Sequence, residues 1–422
     1  MAPLWKRCLA VLILGMGLSA HSAIQAEADG CGAERDVGTG ALDEWTWRQL
    51  NGIYEDVGEA RYDEAFDDLA AMLERSERDR YLQAILNQAL AQVEWARGRY
   101  AASLRYFERA VELDALPDET HFTLLYQTAQ LYYAEGRLEE ARARLETWFC
   151  SVAPDKVSSS AYALEAGIHA GREDHAAALA AIQNAIAVDE SPKENWYLLK
   201  LAAHYEMQQY AEAAATLEIL VADWPNDKRY WLQLAQVSDR LGRDSRALAV
   251  LALANRRGLL DREGDISYLS SLYSRTELPY KSAEVLETGI RAGIVEGTGP
   301  NWARVADAWY AAAELERALA AYREAGRASG DGGIDLRRAH ILIDLERWPA
   351  AVEALDLALS KSGLDDRRRG EIFLLRGIAQ YSLDNHDGAA ADWQRAGRYE
   401  TARDAAAQWL NHLREERQRE AS

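Results

Sequence analysis

The stretch Thr123–Ala141 reads TLLYQTAQLYYAEGRLEEA. Apolar residues in its first part recur three and four positions apart, which is typical of a helix with one buried face. Gly136 then interrupts this series, and a second apolar series begins at Leu138. Because glycine readily adopts the backbone conformation of a tight turn, the stretch predicts two antiparallel helices joined at Gly136.

The same pattern recurs along most of the chain. In each copy a small residue follows the turn, and successive small residues lie 33 to 38 positions apart. They are Ala65, Ser103, Ala141, Ala178, Ala213, Ala247, Ala283, Ala318, Ala351 and Ala389. A small side chain lets the two helices of a pair approach closely. Because one pair cannot bury its apolar face alone, we expect neighbouring pairs to stack.

The period and pattern resemble the tetratricopeptide repeat, which is about 34 residues long. This resemblance implies an all-α fold, a tetratricopeptide-repeat solenoid in which antiparallel helix pairs form a right-handed superhelix. We predict about ten pairs over residues 45–400, with turns near 60, 98, 136, 173, 208, 242, 278, 313, 346 and 384. Loops are predicted at Ser151–Ser160, Gly293–Pro300 and Gly326–Gly333. Residues 401–422 are predicted to be a capping helix and tail; the alternative is a membrane-surface helix.

The N-terminal residues have the three parts of a secretory signal. Lys6 and Arg7 precede the apolar run Cys8–Leu18, and small residues follow it. This run is shorter than the ~20 residues that span a bilayer. We therefore predict a signal peptide at residues 1–26, cleaved after Ala26 or Ala28, and a flexible segment at 27–44. The alternative is an uncleaved membrane anchor.

The chain has three cysteines, Cys8, Cys31 and Cys150. Cys8 lies within the predicted signal peptide. In an oxidising compartment, Cys31 and Cys150 could form a disulfide bond. The alternative is two separate thiols.

Composition and motifs exclude several classes of function. The net charge of −20 disfavours nucleic acid or an anionic membrane as the main partner. The sequence has no nucleophile elbow, phosphate-binding loop or dinucleotide fingerprint. His169 and His175 are six positions apart, whereas two zinc ligands on one helix need a spacing near four. We therefore predict no enzyme, no metal, no cofactor and no stable membrane insertion after signal cleavage.

The family resemblance implies a groove for protein partners, lined by the first helix of each pair. Amide and tyrosine side chains on such a face suit an extended peptide. The predicted groove residues are Gln88, Gln92, Trp95, Tyr126, Gln127, Gln130, Tyr133, Arg229, Gln233, Gln236, Asp239, Arg240, Arg304, Asp307 and Tyr310. The alternative is that these residues only form solvated helix faces.

A narrower resemblance covers Lys228–Ala325, which contains KRYWLQLAQV, the segment Pro279–Ala283 and NWARVADAWYAAAELERALAAYREA. This order resembles exported tetratricopeptide-repeat proteins associated with TonB–ExbB–ExbD systems of Gram-negative bacteria. The resemblance implies a periplasmic accessory of outer-membrane transport that binds periplasmic parts of TonB-, ExbB- or ExbD-type proteins. One alternative is a scaffold of the same fold for peptidoglycan or polysaccharide machinery. Another is an enzyme with an unrecognised site.

Overall fold

The computed structural model describes residues 35, 37, 40–76 and 78–420. These residues form 21 α-helices and two short 3-10 helices, Pro154–Lys156 and Glu400–Ala402. Within the same residues, β-structure is limited to one isolated bridge between Asp331 and Ser362. The predicted all-α fold class is therefore confirmed. The predicted signal peptide at 1–26 lies outside the described residues.

The chain divides into two compact units, one ending at Gln208 and the other beginning at Gln209. The first unit contains α1 (Glu44–Gly58), α2 (Tyr62–Arg75), α3 (Arg80–Ala96), α4 (Tyr100–Glu112), α5 (Asp118–Ala134), α6 (Leu138–Ser151), α7 (Ser159–Gly171), α8 (His175–Val188) and α9 (Glu194–Glu206). Within this unit, α1 packs on α2, α3 on α4, α5 on α6 and α7 on α8, and each pair packs on the next.

The second unit contains α10 (Tyr210–Asp223), α11 (Lys228–Arg240), α12 (Asp244–Arg256), α13 (Glu263–Arg275), α14 (Pro279–Arg291), α15 (Gly299–Ala311), α16 (Leu315–Arg327), α17 (Gly332–Asp344), α18 (Trp348–Ser360), α19 (Asp366–Tyr381), α20 (His386–Ala396) and α21 (Arg403–Glu420). From α11 to α20 the helices again pack in successive pairs, and α21 packs on α20.

The core of both units lies where the helices of a pair meet. All ten small residues that define the sequence pattern are at most 1% exposed. The polar member of this set, Ser103, donates a hydrogen bond from its hydroxyl to the carbonyl of Ala91 at 2.7 Å. Ser103 of α4 therefore lies where this helix approaches α3 closely, and the burial of the other nine side chains is what the pattern predicts.

Each predicted turn contains a residue with positive φ. These residues are Ala60, Gly98, Gly136, Glu173, Gln208, Gly242, Glu277, Ala313, Glu346 and Asp384. In at least nine of these ten turns, the amide of the next residue donates to a carbonyl five positions earlier, as from Arg99 to Glu94 and from Arg347 to Leu342, both at 2.8 Å. This is the Schellman ending of a helix. Turns that lack glycine thus have the same positive-φ geometry as those that contain it.

Replacing Ala313 by glycine is expected to raise the free energy of unfolding by about 0.5–1 kcal/mol, because a Cβ atom is unfavourable in the left-handed region. Ala313 has φ +59°. The control is Ala320→Gly, since Ala320 is exposed in the middle of α16, where glycine costs about 1 kcal/mol. Urea unfolding followed by circular dichroism measures both variants. Destabilisation by both substitutions would contradict the strain argument.

The predicted loop Gly326–Gly333 is shorter than expected. Helix α16 continues to Arg327, and α17 already begins at Gly332. A Cβ atom on Gly326 would lie 2.7 Å from Oδ1 of Asp335. Glycine at this position therefore lets the last turn of α16 approach α17.

Helix caps shorten the other two predicted loops. The hydroxyl of Ser158 accepts a hydrogen bond from the amide of Ala161, so α7 begins inside the predicted loop. The hydroxyl of Thr298 likewise accepts from the amide of Asn301 at the start of α15. In both loops the capping side chain satisfies a backbone donor that the first helical turn leaves free.

Cys150 lies near the end of α6 and is disulfide-bonded. Cys31 is outside the described residues, so its pairing with Cys150 stays a prediction. Four positions after Cys31, the Arg35 guanidinium donates to the carboxylates of Asp114 at 2.6 Å and Asp118 at 2.8 Å. These ion pairs hold Arg35 on the turn between α4 and α5. Among the described helices, none is long and apolar enough to cross a membrane.

Candidate protein-binding surfaces

The first unit presents aromatic and amide side chains on neighbouring first helices. Gln92 and Trp95 lie on α3, and Gln130 and Tyr133 occupy the positions one repeat later on α5. All four are exposed; Trp95 is 50% and Tyr133 40% accessible to solvent. We call these four residues the α3–α5 surface. The other predicted groove residues of these two helices are half-buried; they are Gln88, Tyr126 and Gln127.

Contacts inside the first unit hold both aromatic rings of the α3–α5 surface. Trp95 meets Tyr100 edge to face, with 5.0 Å between ring centroids. Tyr133 lies over Gly167 of α7, where a Cβ atom would be only 2.8 Å from the tyrosine hydroxyl. Rings that are already held in place lose little conformational entropy when a partner binds, which favours their use as anchors.

Tyr126 differs from these two rings because it belongs to the packing of the first unit. Its ring centroid is 5.1 Å from that of Trp148, which is itself buried. Burial raises the pKa of the Tyr126 phenol, although Gln130 opposes the shift through a hydrogen bond. Replacing Tyr126 would therefore disturb the core as well as a binding surface.

In the second unit, carboxylates connect successive first helices. Asp239 of α11 accepts hydrogen bonds from Tyr268 at 3.1 Å and Arg275 at 2.6 Å, both on α13. Asp307 of α15 accepts from Arg337 of α17 at 3.0 Å. Burial, together with the Asp239 carboxylate, raises the pKa of Tyr268, so its phenol stays protonated. The first-helix face of this unit is thus a series of charged and polar pairs.

Two clefts lie along this polar face. One of about 630 Å³ is lined by Gln236, Asp239 and Arg240, and a second of about 790 Å³ is lined by Arg304 and Asp307. The structure therefore brings these five predicted residues into two neighbouring clefts within the second unit.

Three other predicted residues of this unit lie outside the two cleft linings. Arg229 donates to the carboxylate of Asp227 at the start of α11. Gln233 is half-buried on the same helix, and Tyr310 is 50% exposed on α15. The predicted groove residues thus occupy separate parts of the second unit.

Sequence reasoning missed the partners Tyr268, Arg275 and Arg337. Arg275 follows Asp239 by 36 positions, and Arg337 follows Asp307 by 30. A search for opposite charges separated by about one repeat could have found both pairs. As for metals, no group of three or more His, Cys, Asp or Glu residues in the described part of the chain could hold an ion.

Parts of the chain are similar to known proteins. A tetratricopeptide-repeat family model matches residues 89–148 and 198–258. No curated protein matches the chain. A tetratricopeptide repeat protein from Parabacteroides merdae is 16% identical; the alignment covers 68% of this chain and 94% of that one, with a TM-score of 0.37.

Two further solved structures are similar at the same level. YrrB, a tetratricopeptide-repeat protein with an unusual peptide-binding site, is 15% identical, with 44% of this chain and 89% of that chain covered and a TM-score of 0.35. MamA is 16% identical, with 38% and 90% covered and a TM-score of 0.33. The chain is thus similar to tetratricopeptide-repeat proteins over residues 89–148 and 198–258, and its helices pack in successive pairs.

Proposed function

We propose that the protein is a non-enzymatic periplasmic scaffold that binds proteins and serves a TonB-type energy-transducing outer-membrane transport system. The observation that carries the binding role is the α3–α5 surface, where two exposed aromatic rings lie beside two exposed amides. Such rings supply contact area, and amides can bond the backbone of an extended peptide. The TonB assignment rests on the resemblance of Lys228–Ala325 and on the predicted signal peptide.

The charge of the chain supports a basic partner. By family resemblance, TonB-type proteins have long periplasmic segments rich in proline and lysine. Such a segment is already extended, so ordering it on a surface costs little conformational entropy. A host with a net charge of −20 attracts it and increases its association rate.

The periplasmic part of the cognate TonB-type protein is expected to bind with a dissociation constant in the micromolar range. Affinity should fall several-fold between low and physiological salt. The reason is that salt screens the attraction between the acidic surface and the basic segment within about 8 Å at physiological ionic strength. Titration calorimetry at two salt concentrations measures both quantities.

The matched control is the same TonB segment with its lysines replaced by glutamines, which should bind more weakly and lose most of the salt dependence. If the unmodified segment fails to bind a folded protein at either salt concentration, the TonB proposal is wrong. Envelope assembly then becomes the better proposal for the same scaffold.

A further inference from the structure

We infer that a cleft between α16 and α18 binds a small oxyanion, that is, a phosphate or carboxylate group. The cleft has a volume of about 680 Å³ and is lined by residues of α16, α17 and α18. Five of its lining residues are basic and three are acidic, in a chain whose net charge is −20. Its lining shares no residue with the surfaces described above, and the inference does not depend on the proposed TonB role.

The central residue of this cleft is Arg338 of α17. Arg338 is only 8% exposed, yet its side chain lines the cleft. Among the described residues its one ion contact is with Oδ1 of Asp335, at 3.8 Å, which is too long for a hydrogen bond. Because Arg338 lines the cleft, its guanidinium, which has five donors, is available to a ligand there.

Asp335 cannot neutralise Arg338 alone, because a second cation already uses it. The ammonium of Lys361 lies 2.5 Å from Oδ2 of Asp335 and 2.5 Å from the carbonyl of Gly326. One carboxylate therefore faces two cations, so this cluster carries a net positive charge. An oxyanion in the cleft would neutralise it and accept paired hydrogen bonds from the planar guanidinium.

The outer part of the cleft adds another available cation. Arg323 of α16 is exposed along the cleft and has no ionic partner in the described part of the chain. Arg347 is already paired with Glu316 at 3.0 Å. The acidic residue Glu353 also lines the cleft, and its carboxylate would repel an oxyanion that lay close to it.

The segment Gly326–Gly333, which the sequence predicts as a loop, fixes one end of the cleft. The carbonyl of Gly330 accepts from the amide of Ser362 at 3.0 Å, and the Ser362 carbonyl accepts from Gly332 at 2.9 Å. A Cβ atom on Gly332 would lie 2.3 Å from the carbonyl oxygen of Ala358. These contacts hold the chain around Lys361, so the cluster is in place before a ligand arrives.

The test is thermal unfolding of the full chain in sodium phosphate, sodium citrate or sodium chloride at equal ionic strength and pH 7. Phosphate or citrate is expected to raise the melting temperature of the unmodified protein by about 2–4 °C relative to chloride. Arg338→Gln should show a clearly smaller difference than the unmodified protein, because it removes the guanidinium from the cleft. A response to phosphate alone, or to citrate alone, identifies which oxyanion the cleft prefers.

Arg337→Gln is the matched control, since Arg337 pairs with Asp307 and does not line the cleft. It should keep the full difference, which separates site binding from the general stabilising effect of these salts. The inference is overturned if neither oxyanion exceeds chloride, or if Arg338→Gln responds as Arg337→Gln does.

A second variant keeps the inference testable if Arg338→Gln does not fold. Arg323→Gln changes an exposed side chain and is expected to leave the helical content unchanged. Calorimetric titration with whichever of inorganic phosphate and citrate stabilises the protein should show about 5–10-fold weaker binding for this variant, the loss expected for one solvent-exposed hydrogen bond. Equal affinity in Arg323→Gln and the unmodified protein would overturn the inference.

Discussion

Replacing Asp392 by alanine is expected to lower the free energy of unfolding by about 3 kcal/mol, because it breaks a buried ion pair and removes two charge-assisted hydrogen bonds from the Arg376 guanidinium. Asp392 is 1% exposed. It accepts two hydrogen bonds from Arg376 of α19, both at 2.7 Å, and one from Arg395 of α20 at 3.0 Å. After the change Arg376, whose side chain is only 12% exposed, keeps one carboxylate partner, Asp356.

The loss should be concentrated at the C-terminal end of the second unit, because each pair of a repeat array contacts only its neighbours. Hydrogen exchange of the α19, α20 and α21 amides measures the local effect, and urea unfolding measures the global one. Asp387→Ala is the matched control, since the Asp387 side chain is 92% exposed in its pair with Arg417. Exposed pairs add little stability. Equal loss in both variants would contradict the argument.

The sequence predicts the repeat and its turns well, because a small residue is needed wherever two helices approach. It does not predict that residues such as Ala60 and Glu346 adopt positive φ. Nothing in alanine or glutamate favours that conformation, and its cost of about 1–2 kcal/mol is outweighed by stacking the pairs. The turn is therefore set by the packing of the helices, and glycine only makes it easier.

The candidate sites were harder to predict, because they depend on the direction in which each side chain points from its helix. Arg337 and Arg338 are the same residue type at adjacent positions. One pairs with Asp307 on the first-helix face, and the other is buried beside the cleft between α16 and α18. A rotation of about 100° per residue separates these two environments. Only the packing of α17 shows which arginine lies on which face.

Replacing Trp95 and Tyr133 together by alanine is expected to raise the dissociation constant for the proposed TonB segment about 10–100-fold, since aromatic anchors dominate binding energy. Both side chains are at least 40% exposed, so the fold should be retained. The change should appear mainly in the dissociation rate, because charge attraction sets the association rate and is unaltered. Tyr126 is left unchanged because its ring packs against Trp148.

Trp45→Ala is the matched control, because Trp45 is also an exposed tryptophan, at 62%, but lies on another face of the first unit. It precedes Tyr54 by nine positions on α1, and at 100° per residue these two side chains point in opposite directions. Tyr54 lies one repeat before Gln92 and is therefore on the side of α1 that corresponds to the α3–α5 surface. Trp45 points away from that side. Surface plasmon resonance with the TonB segment immobilised measures both rates. An equal loss of affinity in Trp45→Ala would mean that the α3–α5 surface is not the binding site.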